Sequence, residues 1–213
     1  MKCLYCILLF LTTLTLLPAS FADSAFNKEI EIVREAYLTA TDGTERDIRK
    51  ASQKIRKLEH KYPFHPLVLA YKGGALSLRG KDIGKRPLDR MRETEEGLNI
   101  IDRALRKLSH YDGDYLEIVE TQLIATYVFI NLPDSIFHRL REGDHLVKKL
   151  LAHPQFSAMP QGLQAAIYFA AAIAADKRND QTQFQHYLEL TYKTDPNGKN
   201  GQQAQALLQQ LAD

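Results

Sequence analysis

From Phe26, the apolar residues Ile30, Val33, Tyr37 and Leu38 recur at steps of three or four, which places them on one face of a helix. "TATDGTER" (39–46) breaks the pattern, with Asp42-Gly43 as a turn and Thr44 as an N-cap. A second amphipathic helix follows, with Ile48, Ala51, Ile55 and Leu58 on one side and Arg, Lys and Glu on the other. Pro63 and Pro66 in "YPFHP" end it.

The same two-helix pattern then recurs. Leu67–Leu78 reads as a short apolar helix and residues 95–108, "EEGLNIIDRALRKL", as its partner. "HYDGDY" (110–115) makes a turn, Tyr115–Ile130 a long helix, and "NLPDS" (131–135) a break. Ile136–Ala152 answers as one helix, interrupted near Gly143. Residues 163–175 and 181–194 pair around "DKRND", "DPNGKN" closes that pair, and Gln202–Leu211 is a final short helix. No period-two run flanked by hairpin turns occurs, so the chain is expected to be all-α.

Helical pairs at roughly 35–47-residue spacing mark a solenoid. In the second helix of a pair, a small residue, a large one four later and another small one three after that allow close approach. Gly97, Ile101 and Ala104 have that spacing and those sizes. Ala51, Ile55 and Leu58 keep the spacing with the last position enlarged, and Phe184, Leu188 and Thr191 keep the spacing but not the sizes.

At these residues the chain resembles the tetratricopeptide repeat family, and "KYPFHP" and "KTDPN" look like its inter-repeat turns. The resemblance covers most of residues 25–197 in a degenerate form. The family's tryptophan, leucine-glycine and tyrosine set is incomplete everywhere, and the second and third pairs lack the closing proline. "LAYKGGALSLRGKD", "GLNIIDRAL" and "INLP" are also similar to a group of exported bacterial tetratricopeptide-like proteins, a likeness that brings no activity with it. The resemblance implies a right-handed α-solenoid of about four antiparallel hairpins with a C-terminal capping helix. It also implies a binding role, since stacked hairpins create a concave surface.

The N-terminus modifies this picture. Lys2, the apolar run Cys6–Leu17, Pro18 and the small residues Ser20 and Ala22 before Asp23 have the layout of a cleavable signal peptide over residues 1–22. The run is short for a membrane span, which needs ~20 residues. Residues 23–213 are then expected as one exported, periplasmic domain. Secretion, or anchoring by an uncleaved leader, are the alternatives. Both cysteines, Cys3 and Cys6, fall in the leader, which leaves no disulfide in the domain. The 28 basic and 26 acidic residues nearly balance, which argues against a nucleic-acid partner.

Candidate chemistry centres on "YKGGALSLRGKDIGKRPLDR" (71–90). It is not a phosphate loop: Ala75 stands five before Gly80, Lys81 is followed by Asp82, and Gly84-Lys85 is followed by Arg86. Gly73 and Gly74, costly inside a helix, point to a close helix crossing. Gly80 fits a left-handed helix end. Residues 81–93 read as a long connection, where 2–8 residues are usual. Arg79, Lys81, Lys85, Arg86, Arg90 and Arg92 stand there against Asp82 and Asp89 alone, a local excess suited to a partner's acidic group, a phosphate or a lipid headgroup.

His138, His145 and His153, seven and eight residues apart, lack the tight ligand pairs of a zinc site. His60 and His65 flank a proline turn. Glu93, Glu95 and Glu96 suit a helix's first turn. Asp112, Asp114, Glu117 and Glu120 would do acid–base work only in a shared desolvated pocket. Tyr115, Tyr127, Phe129, Phe137, Tyr168, Phe169 and Tyr187 are core residues or, in part, the lining of a peptide groove. The expectation is a non-enzymatic envelope adaptor for a protein or peptide, without cofactor or metal. Anion or lipid-headgroup binding through 79–92, or an unrecognised carboxylate enzyme, are the alternatives.

Overall fold

The structure, a computed structural model, describes residues 19–212 except 81 and 83, with side chains from Ala25 to Leu211. The expected leader falls on residues 1–18, outside the described residues, and on the first turn of α1. Among the described residues there are ten helices and no strand: α1 (Ala19–Thr41), α2 (Glu45–Lys61), α3 (Pro66–Arg79), α4 (Pro87–Lys107), α5 (Tyr115–Asn131), α6 (Asp134–Phe137), α7 (Leu140–Leu151), α8 (Gln161–Lys177), α9 (Gln181–Thr194) and α10 (Lys199–Ala212). No described helix is long and apolar enough to cross a membrane.

Each long helix packs on its neighbours in the chain. α1 lies on α2, α3 on α4, α5 on α7, and α8 on α9, while α10 covers α8 and α9. Side-chain pairs show the antiparallel sense. Lys61 at the end of α2 meets Glu29 midway along α1. Tyr115 at the start of α5 stacks on His153, just past the end of α7. The first members of the pairs also touch in succession, α1 on α3, α3 on α5, α5 on α8 and α8 on α10.

Sequence pattern explains this division. α2 and α7 are amphipathic and bury a single stripe. α3 is apolar nearly all round and is buried from Pro66 to Tyr71 and again over Gly73–Ala75. The triplets with i, i+4, i+7 spacing are all buried: Ala51, Ile55 and Leu58 in α2, Gly97, Ile101 and Ala104 in α4, and Phe184, Leu188 and Thr191 in α9. Helix α7 adds a fourth, Gly143, Val147 and Leu150. Their first members recur at intervals of 46, 46 and 41 residues.

Five local expectations are corrected. Helix α4 begins at Pro87, not near residue 95, because proline suits the first helical position and the extended Arg86 (ψ 143°) precedes it. The connection therefore runs from Gly80 to Arg86, of ordinary length, and Glu93, Glu95 and Glu96 sit beyond the first turn. Gly80 is right-handed (φ −64°). Glycine is needed there because a side-chain carbon would collide with the Thr94 hydroxyl. The break between α6 and α7 lies at His138, which is left-handed (φ 53°), with Arg139 next to it. Gly143 does not interrupt α7. It lets α7 press onto α5, since a carbon there would lie 2.6 Å from the Ile130 side chain.

The two ends of the helical array meet. Lys199, the first residue of α10, donates to the Leu38 carbonyl (3.2 Å) and the Thr41 hydroxyl (3.1 Å), and pairs with Asp42 (2.6 Å).

Candidate functional site

Four cations of the basic connection share two carboxylates. Glu93 takes both Arg79 (2.7 Å) and Lys85 (2.6 Å). Asp89 takes Arg86 (2.7 Å) and Arg92 (3.1 Å), and the Arg90 Nε donates to the Gly80 carbonyl at 2.9 Å. Lys81 lies outside the described residues. Arg79, Lys85 and Arg90 thus close the α3–α4 turn, while Arg86 and Arg92 flank Asp89 at the exposed start of α4. Helix formation from Pro87 makes this possible, since it brings Glu93 back beside the end of α3.

A polar seam crosses α1, α3 and α5. Arg34 of α1 makes a two-pronged bond to Glu120 of α5, 2.7 Å on each arm. Tyr71 of α3 donates to the same carboxylate, and Glu31 also engages Arg34. Hydrogen bonding to Glu120 outweighs burial and pushes the Arg34 guanidinium further up from its already high value. Burial and the neighbouring carboxylate push the Tyr71 phenol well up. Three residues earlier on α5, Glu117 accepts from Tyr111, whose oxygen is 2.8 Å from the His65 Nε2. The His65 ring stacks on Phe26, and its Nδ1 is buried with no partner. Burial pushes the Glu117 carboxyl up, but the hydrogen bonds from His65 and Tyr111 outweigh it and hold the group below its ordinary 4.5.

These carboxylates are held by Arg34 of α1, Tyr71 of α3 and the connection residues Tyr111 and His65, so their geometry is that of ties between elements. The sequence names Glu117 and Glu120, but their partners Arg34, Tyr71 and Tyr111 are 86, 49 and 6 residues away. Arg34 has one local signal, a cation with Glu31 and Glu35 beside it on α1.

An open groove of about 420 Å³ separates α4 from α7. Leu105 of α4, Phe129 of α5 and Leu146 of α7 line its apolar part, and Arg141, Glu142 and His145 of α7 form the rim. It exists because α5 packs closely on α3 and α7 but only lightly on α4. Arg139 spans the gap: it bonds Asp102 of α4 and Glu142, and its guanidinium lies 4.7 Å from the Phe129 ring centre.

The three spaced histidines do not converge. His138 ends α6, His145 lies on the groove rim, and His153 stacks on Tyr115. Among the described residues no three potential ligands cluster as a metal site would require. Of the aromatic set, Phe129 and Phe169 are buried, Tyr127 donates to the Ala166 carbonyl (2.7 Å), and Tyr168 stacks on Tyr187. Only Phe129 reaches the groove. No family model, curated protein or solved structure matches the chain.

Proposed function

We propose that this chain is a non-enzymatic adaptor of the envelope, a tetratricopeptide-like solenoid of about four hairpins capped by α10, which binds a protein or peptide partner. The observation that carries this reading is the recurrence of one buried i, i+4, i+7 triplet in each of α2, α4, α7 and α9. Repeated hairpins stacked on their neighbours in the chain are an architecture of extended binding surfaces. The interval of 46 residues exceeds the ~34 of tetratricopeptide repeats. The extra length goes into the 21-residue α4 and the insertion of α6.

The inner helices α3 and α5 expose little, so the partner's place is the α4–α7 groove. An apolar floor with a charged rim accepts one face of an amphipathic helix. The anion-binding alternative through residues 79–92 has less support, because four of its cations already share Glu93 and Asp89. The carboxylate-enzyme alternative has less support as well, because both oxygens of Glu120 are engaged by Arg34 and Tyr71 and Glu117 is engaged by Tyr111 and His65.

A photo-crosslinking residue at position 145, followed by recovery of adducts from intact cells, tests the proposal. The expected result is one enriched protein partner, lost with Leu146→Glu in a chain of unchanged circular dichroism. A clean monomer, or adducts indifferent to Leu146→Glu, refutes it.

A further inference from the structure

The strongest charge asymmetry among the described helices lies on α2, away from the groove and away from the 79–92 connection. Within Glu45–Lys61 stand seven Lys or Arg against three acidic residues. The chain as a whole carries +2, so everything outside α2 sums to −2. The acids of α2 are all engaged. Glu45 holds Arg49, Asp47 caps the helix through Thr44 and lies near Lys50, and Glu59 is drawn sideways to Lys72 of α3. Arg46, Lys54, Arg56 and Lys57 are exposed and make no ion pair among the described residues. Burial of Ile48, Ala51, Ile55 and Leu58 turns this whole cationic face outward, over a length of about 23 Å at 1.5 Å per residue.

At the C-terminal end of that face the chain presents an aromatic ring to solvent. Phe64, in the turn after α2, is 73% exposed. Lys107 sits 5.2 Å above its ring centre, and His60 and Lys61 are exposed beside it in sequence. A row of cations on the outward side of a helix, ending in an exposed aromatic with Lys107 over its ring, matches the surface of an anionic bilayer. The cations meet headgroups, and the ring enters the interfacial layer. A bilayer surface meets such an outward face without requiring a pocket, whereas the groove proposed for the protein partner lies elsewhere, between α4 and α7. The acidic remainder of the chain, repelled by the same surface, would leave α2 as the side that faces it.

We propose that α2 and Phe64 form a reversible docking face for anionic phospholipid membrane, independent of the partner groove. The protein as recovered from its cell is sedimented with vesicles of equal parts phosphatidylglycerol and phosphatidylcholine at low salt. Pure phosphatidylcholine vesicles report any contribution of a retained leader. The expected result is binding to the mixed vesicles alone, lost as salt rises from about 50 to 500 mM. Each neutralised cation should lower partitioning about fivefold. Arg46→Gln, Lys54→Gln, Arg56→Gln and Lys57→Gln together should then lower it by roughly two to three powers of ten.

Phe64→Ser should weaken binding that remains salt-sensitive. The pair Lys54→Gln and Lys57→Gln serves where the quadruple variant loses helicity. Absence of wild-type binding to mixed vesicles at low salt overturns the proposal, as does a quadruple variant that binds like wild type. Binding to polyglutamate without binding to vesicles also overturns it, in favour of an acidic protein ligand. Crosslinking at position 145 should be unaffected by the α2 substitutions, which separates this face from the groove.

Discussion

A side-chain carbon on Gly73 would lie 2.6 Å from the Gly97 carbonyl oxygen, and one on Gly97 would lie 2.6 Å from the Gly73 carbonyl oxygen. The two glycines face each other across α3 and α4, so the helices meet backbone to backbone. Alanine is the better helix former by ~1 kcal/mol. Here the clash is with backbone, which cannot swing aside. Gly73→Ala and Gly97→Ala should each destabilise the fold by about 1–3 kcal/mol in urea denaturation. Gly162→Ala is the control. Its added carbon meets only Asp195 Oδ2 at 3.5 Å, and stability should hold or rise slightly.

Glu120 holds two helices through charge and hydrogen bonding, with its side chain only 14% exposed against 33% for Arg34. Glu120→Ala should cost about 2–3 kcal/mol, somewhat less than a fully buried pair because Arg34 keeps some solvent and Glu31. Tyr71→Phe should cost about 1 kcal/mol, and the double variant should fall short of the sum because both changes remove the same bond. A denaturation cycle on the four proteins measures that shortfall, and strict additivity would disprove the shared tie.

The depressed carboxyl of Glu117 links stability to pH. A lowered folded-state value means that the unfolded chain takes up the proton first, so the stabilisation is full above the ordinary 4.5 and is lost as pH falls below it. Wild type should exceed Glu117→Gln by about 1–2 kcal/mol at neutral pH. The gap should narrow between pH 4.5 and the lower folded value. Urea titrations across that range would show it, and a gap independent of pH would count against the linkage.

His138 holds a left-handed backbone, φ 53°, with no ring or side-chain bond of its own among the described residues. Glycine adopts that conformation without the side-chain penalty, which is ~1–2 kcal/mol. His138→Gly should therefore stabilise the chain by up to about 1 kcal/mol, after the added freedom of the unfolded state is subtracted. A lowered melting temperature would contradict this.

Much of the helix plan was legible in local sequence. The steps of three and four at Phe26, Ile30, Val33 and Tyr37, the turn at Asp42-Gly43, and the prolines at 63 and 66 act within one or two turns of chain. The burial of Gly97, Ile101 and Ala104 was legible too, because small residues at helical spacing have few other uses. By contrast, the charge count from Arg79 to Arg92 stopped one residue short of Glu93, which takes two of those cations. Whether a charge is free depends on which carboxylates the fold returns to it.

By itself the sequence determined an all-helical chain, most helix boundaries, and the cationic composition of α2. Periodicity, proline and glycine act over distances of a few residues, and one strand of text contains them. Only the tertiary structure decided that Gly73 seats against Gly97, that Arg34 reaches Glu120, that Lys199 returns to Asp42, and that a groove opens between α4 and α7. Those relationships join residues tens of positions apart. They depend on crossing angles and on α5 packing more closely on α3 and α7 than on α4, which no local pattern encodes.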